Sequence, residues 1–309
     1  MSEFTIRPMR TGEWDEVSEL VRISTNHWYE SHARGAIFTG PPEATRLFCE
    51  VYEALDPGCC IVAEDGETGR LAGSCFYRQR ETHVSLGIMN AHPYFFARGA
   101  ASQLLAFITN YADQRNLPIR LVSSAINLDS FSLYNRAGFV ARMAFQDMLI
   151  ESPAENRAAG AAGADRVRQA TADDIPAMVA LEDELVGIRR EKDYRFFIEN
   201  TMGIWHTLVL EGESGRLDGF LGSVAHPGSH MLGPGVMRDE STAAALIAAQ
   251  LDHHKERTPV FLVPVQAAEL VQTLYGWGAR NCELHFAQIR GAFHAPTGII
   301  MPTFMPETG

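Results

Sequence analysis

Gly99 lies between Arg98 and the small residues Ala100, Ala101 and Ser102, where the stretch PYFFARGAASQLL turns into a helical apolar pattern. Glycine in a first helical turn is weaker than alanine by about 1 kcal/mol, so this position answers to something other than helix stability. A strand, a loop with glycine and a helix start together suit a phosphate. The first-turn N–H groups have no helical partners, the helix dipole favours an anion, and a missing Cβ lets the anion approach the backbone. The expectation is a pyrophosphate held by this loop.

The elements around the loop are legible from period. Residues 4–8 read as a short strand, and 12–23 as a helix with Trp14, Val17, Leu20 and Val21 on one face. CCIVAE and LAGSCFY flank EDGETGR as a hairpin. In HVSLGIMNAHP the apolar positions Val84, Leu86 and Ile88 alternate and then slip to Met89 and Ala91, which places a bulge near Ile88–Met89. From Gly99 the period changes to 3.6, through Ala101, Leu104, Leu105, Ile108, Tyr111 and Ala112, until Asn116 and Pro118 end the helix. IRLVSSA reads as a strand, LDSFSLYNRA as a short helix closed by Gly138, and FVAR with AFQDMLI as a final pair of strands. Strands and helices mixed in this way predict an α/β fold, a twisted sheet flanked by helices.

The chain repeats this plan. RPMRTGEWDEVSELV at 7–21 matches RQATADDIPAMVALE at 168–182, IVAEDGETGRLAGS at 61–74 matches LVLEGESGRLDGF at 208–220, and SLYNRAGF at 132–139 matches TLYGWGAR at 273–280, in the same order. Between the halves, SPAENRAAGAAGAD is small, polar and free of aromatics, as a linker would be. The division expected is a first domain at 1–151, a linker at 152–165 and a second domain at 166–309.

PYFFARGAA resembles the acetyl-CoA loop of the GNAT superfamily of N-acetyltransferases (Gln or Arg, two residues, Gly, one residue, Gly or Ala), with Gly99 and Ala101 in the last two places. NLDSFSLYNRAGF at 127–139 is similar to a second hallmark of that superfamily, through Asn127, Ser130, Leu133, Tyr134, Gly138 and Phe139. Phe96 departs from the pattern by standing where Gln or Arg is usual, and Arg98 can still supply positive charge. The resemblance covers about residues 4–150 and implies two GNAT-like domains. It also implies acetyl-CoA as acyl donor: Met89, Asn90 and Ala91 against the pantetheine arm, the backbone of Phe96, Ala97, Arg98, Gly99, Ala100, Ala101 and Ser102 around the pyrophosphate, and Asn127 beside the pantetheine. Tyr134 is implied as the acid that protonates the departing thiolate. A phenol with pKa near 10 holds its proton at neutral pH. The Glu that many members carry on the strand before the loop is absent, since position 87 is glycine. Glu81, His83 and Ser85 on the same strand are the remaining candidates for a general base.

In the second half the corresponding crossing, LGPGVMRDESTAAALIAAQL, has no glycine at the helix start and offers Asp239 and Glu240 instead, which can cap the helix themselves. Tyr275 aligns with Tyr134, but Ala268 stands where Asn would. The second domain is therefore expected to be degenerate and to shape the amine pocket or a dimer surface.

A net charge of −12 argues against nucleic acid or an anionic membrane as partner. Five cysteines without a CxxC pair predict neither disulfides nor a zinc site, and the adjacent His253 and His254 cannot share a helix face as ligands, so no metal is expected. The absence of a leader or an apolar span of roughly 20 residues predicts a cytoplasmic protein. The function expected is acetyl transfer from acetyl-CoA to a primary amine of a small molecule or peptide. The alternative is a non-catalytic module of the same fold that senses acyl-CoA or a metabolite.

Overall fold

Apolar period and turn chemistry set the elements of the first half, which the computed structural model describes in full from residue 4. They run β1 (Phe4–Pro8), α1 (Trp14–Ser31), α2 (Arg46–Leu55), β2 (Cys60–Asp65), β3 (Leu71–Gln79), β4 (Val84–Ala91), α3 (Ala100–Asp113), β5 (Ile119–Ser124), α4 (Leu128–Arg136) and β6 (Val140–Leu149). The second half repeats the order: β7 (Val167–Gln169), α5 (Ile175–Val186), α6 (Glu191–Glu199), β8 (Trp205–Glu211), β9 (Leu217–His226), β10 (Ser229–Met237), α7 (Glu240–His253), β11 (Val260–Pro264), α8 (Ala268–Gly276) and β12 (Arg280–Arg290). Three short strands follow, β13 (Ile299–Met301), β14 (Thr303–Phe304) and β15 (Glu307–Thr308). The structure describes residues 4–151, 163–213, 215–305 and the backbone of 307–308. Most of the expected linker, 152–162, lies outside them.

Three expectations change. The first helix extends to Ser31, and a second, α2, was not foreseen although Leu47, Phe48, Val51, Tyr52 and Leu55 recur at helical spacing and are buried. The final pair of strands is one strand: β6 skips Arg142 where Ala287 pairs with Met143 and Gln288 with Ala141. The slip in polarity that suggested two strands is this bulge. The bulge in β4 falls at Gly87–Ile88, between the Tyr77–Leu86 and Cys75–Met89 pairs, one residue earlier than expected.

The two sheets expected for the two halves are joined into one. Its order is β1-β2-β3-β4-β5-β12-β6-β11-β10-β9-β8-β7, with β13 also on β10. Strand β12 of the second half enters between β5 and β6, while β6 of the first half lies between β12 and β11. Each half thus completes its sheet with the other's last strand, and the order reads the same from both ends. The exchange leaves no open strand edge at the junction.

One face of this sheet carries α1, α2, α5 and α6 over a core that runs through both halves, from Val17, Leu47 and Tyr52 to Tyr194, Phe197 and Phe220. On the other face, α3 and α4 cover Ile61, Leu86 and Leu121, and α7 and α8 cover Leu221, Leu232 and Phe261. The halves are further tied by buried charge. Asp193 of α6 accepts from Arg78 at 3.1 Å and from Arg80 at 2.7 Å, and these guanidiniums offset the burial that would otherwise raise its pKa, holding it below the usual carboxylate range.

Candidate active site

Strands β4 and β5 run parallel but pair only through Val84–Ile119 and Ser85–Arg120. Beyond Ser85 they part, so the end of β4 that carries Met89, Asn90 and Ala91 keeps its bonds to β3, and among the described residues no strand is hydrogen-bonded to its other edge, although β15 lies against β4 and β5. The gap opens toward the start of α3. There Gly99 is the helix N-cap at φ 95°, a left-handed conformation with no side-chain cap, and Ala97 also has positive φ, 60°. A Cβ at Gly99 would meet nothing within 4 Å. Glycine is thus required by the backbone, and the space in front of it is open. The N–H groups of the first turn, from Ala100 to Ser102, have no acceptor inside a helix. These features fit a pyrophosphate.

Side chains assist less than the sequence suggested. The amide of Arg98 donates to Phe95 O at 3.2 Å, its guanidinium lies 5.0 Å from the Phe95 ring centre, and its charge is 3.7 Å from buried Asp65. Phe96 is exposed, near His27 at 5.8 Å between rings. Asn127 caps α4, its Oδ1 accepting from Ser130 N–H at 3.0 Å. Asn90 turns to the opposite face, where its Nδ2 is 3.4 Å from Thr25 Oγ1 of α1. Tyr134, the buried residue of α4, belongs to the core on this face, with Phe139 5.7 Å away.

The three candidate bases are not brought to this end of β4. At roughly 3.3 Å per residue, His83 lies about 20 Å along the strand from Met89. It is buried, and burial together with Arg120 and Arg190 pushes its pKa well down. Glu81 is exposed in a bend, and Ser85 is buried where β4 and β5 still pair. A Glu at 87 would need Tyr52 to shift, because a Cβ there would come within 2.7 Å of the Tyr52 hydroxyl. The α2 ring, stacked on Phe76, fills the place.

Titratable groups do gather at the seam where the halves exchange strands. A second bulge, at Cys282, sets Glu283 of β12 opposite Asp147 of β6. Carboxylate oxygens of both and a ring nitrogen of His285 lie within 4.8 Å of one another. Glu283 accepts from Tyr29 of α1 at 2.8 Å and from Ser124 at the end of β5. Burial, reinforced by Glu283, pushes the Asp147 pKa up to about 7, and burial pushes that of His285 down to about 3. Sequence reasoning had no signal for this group, since its members come from both halves of the chain and meet only through the exchange.

Comparison with known proteins agrees with the geometry. A model of the acetyltransferase (GNAT) family matches residues 25–139, and an acetyltransferase (GNAT) domain model matches residues 178–285. The two together span well over half of the chain. The chain belongs to the GNAT family, as a tandem of two such domains. No curated protein matches the sequence significantly. Among solved structures, a putative acetyltransferase from Pyrococcus horikoshii is similar over 99% of this chain and 96% of its own, with TM-score 0.73 and 13% identity. A GCN5-related N-acetyltransferase from Sphaerobacter thermophilus covers 94% and 96%, with TM-score 0.63 and 14% identity. A tandem GNAT protein from the clavulanic acid biosynthesis pathway covers 93% and 98%, with TM-score 0.58 and 13% identity. Acyl transfer is the chemistry that the family indicates.

In the second GNAT domain the equivalent places are filled by the chain itself. Asp239 caps α7 by accepting from Thr242 N–H at 2.8 Å, and Glu240 accepts from Leu270 N–H at 2.6 Å. Strand β10 pairs with β11 only at Met231 and Leu232, and past that point β13 runs against β10 through Gly235–Met301, Val236–Ile300 and Met237–Ile299. Tyr275 is exposed, its hydroxyl 3.1 Å from Gln146. No helix among the described residues is long and apolar enough to cross a membrane.

Proposed function

We propose that the chain transfers an acetyl group from acetyl-CoA to a primary amine, with a single donor site, in the first half. The observation that carries this reading is the parting of β4 from β5 beyond Ser85, at the end of β4 that leads to the left-handed Gly99 N-cap. There Met89, Asn90 and Ala91 would align the donor arm, the α3 first turn would hold the pyrophosphate, and Tyr134 would protonate the leaving thiolate. Acetyl-CoA brings the activated acyl group; the protein contributes alignment. Support for a single site comes from β13, which fills the second gap, and from Asp239 and Glu240 at the second helix start. At an effective dielectric near 20, a like charge at 4 Å costs on the order of 4 kcal/mol.

Calorimetric titration of the full chain with acetyl-CoA is expected to give one site, and incubation with primary amines is expected to release free CoA thiol. Two sites would remove the single-site reading. Binding with no transfer to any amine would leave the sensing module as the function.

A further inference from the structure

Acetyl transfer to an amine needs a free lone pair, whereas an amine arrives at neutral pH as an ammonium. A group must hold that cation and take its proton. The β4 position for such a group is filled by Tyr52, and the seam between β6 and β12 holds what β4 lacks. Two carboxylates, Asp147 and Glu283, stand opposite each other across the two strands. Glu283 is fixed by the hydroxyls of Tyr29 and Ser124, which donate to it. Asp147 and His285 are each more than nine-tenths buried, and among the described residues Asp147 Oδ1 and His285 Nδ1 have no hydrogen-bond partner. His285 Nδ1 is 3.4 Å from the other Asp147 oxygen, and the His285 ring centre is 4.8 Å from that of Phe304. Ser124 places this group at the β5 end of the gap. Strand β15, at the C-terminal end, lies against β4 and β5.

Resting on the acetyltransferase reading above, we infer that the seam is the acceptor seat: Asp147, Glu283 and His285 receive the ammonium of the acceptor, and Asp147 takes its proton. The acceptor is then an amine that is cationic in solution, and its seat is built by both halves. The ammonium gives one N–H proton to Asp147, and the freed pair forms the C–N bond to the acetyl carbon. The C–S bond breaks with its electron pair on sulfur, and the thiolate takes a proton from Tyr134. Tyr134 is restored by the second proton that the nitrogen loses, so one net proton leaves through Asp147. The groups facing Asp147 are Glu283, Cys282 and His285 on β12 and Tyr29 on α1, with Arg34 beyond, its guanidinium on the Cys282 carbonyl.

The test uses the full chain, its Asp147→Asn variant and its Glu283→Gln variant, with lysine, glycinamide and glucosamine as acceptor probes. Acetyl-CoA affinity, read by calorimetry, is expected to stay within threefold of wild type in both variants. Thiol release with whichever probe is turned over is expected to fall about 10²–10⁴-fold in Asp147→Asn, with the acidic limb of its pH profile lost, and Glu283→Gln is expected to raise the acceptor KM. Turnover in Asp147→Asn within threefold of wild type, with acetyl-CoA still bound, overturns the seat and leaves the acetyltransferase reading standing. No binding of acetyl-CoA, or no turnover of any amine by wild type, overturns that reading together with the seat. Equilibrium dialysis against zinc chloride or manganese chloride is expected to leave the seam without metal. One tightly held ion per chain, lost in both variants, would mean that the three groups are metal ligands and overturn the ammonium seat.

Discussion

Tyr52 occupies the volume that any side chain at position 87 would need, its hydroxyl lying 2.7 Å from where a Gly87 Cβ would be. Tyr52 is fully buried and stacked on Phe76 at 4.5 Å, so it has little room to yield. Gly87→Ala is expected to destabilise the fold by about 1–3 kcal/mol, the usual cost of overpacking, as read from urea melts. Gly87→Glu is expected to bring no gain in turnover. A Gly87→Glu chain that folds and reacts faster would show that the ring moves aside for a base.

Gly99 separates backbone from charge. Because its φ is 95° and the space before it is open, Gly99→Ala is expected to cost about 1–2 kcal/mol of stability through backbone strain and to keep most of the acetyl-CoA affinity. Gly99→Glu carries the same strain and adds a negative charge where phosphates would lie, and binding is expected to be lost. Equal calorimetric affinities for the two variants would remove the phosphate from this helix start.

Tyr134→Phe is expected to lower turnover by about 10²–10⁴ without altering acetyl-CoA affinity, measured with any amine that the wild type accepts. Wild-type turnover across a pH series would reduce Tyr134 to a core residue.

The proton on Asp147 also bears on stability. Its folded pKa, about 7, lies above the unfolded value near 3.9. Between these values the unfolded chain has released the proton that the folded chain still holds, so this residue's contribution falls as pH rises from about 4 to 7. Asn carries no such penalty. The stability of Asp147→Asn relative to wild type is expected to grow by roughly 2–3 kcal/mol from pH 5 to pH 8. A pH-independent difference between their melts would show that Asp147 is ionised throughout.

Much of the first half was legible because its signals are local. The EDGETGR turn, the helix from Gly99 and the Asn127-to-Gly138 segment each carry period and caps within about a dozen residues. The slip in β4 was read one residue late because Ile88 is half-buried and belongs to neither pattern clearly. Helix α2 was passed over although its period is plain. The strand exchange, β13 in the second gap and the Asp147–Glu283 pair were out of reach for another reason. A local pattern says that a strand is buried on a face but not which strand lies beside it, and these partners are 136 residues apart or come from the chain end.

The exchange alters what a truncation can show. A fragment ending near 151 retains the whole Gly99 loop yet lacks β12, which bonds to both β5 and β6. It is expected to be insoluble or to associate with copies of itself. The 163–309 fragment is expected to restore a monomeric complex when the two are made together, as size-exclusion chromatography would read. A soluble, monomeric first half would mean that β6 closes on β5 when β12 is absent.

That same arrangement sets a delay at the ribosome. Ser124 meets its partner Glu283 across 159 residues of chain, and at 5–20 residues per second β5 waits roughly 10–30 s for the strand that covers its edge. Through that interval the nascent chain has all its donor-loop residues and nowhere to close the sheet. Its yield in cells should therefore follow translation speed and chaperone supply more closely than the stability of the finished protein.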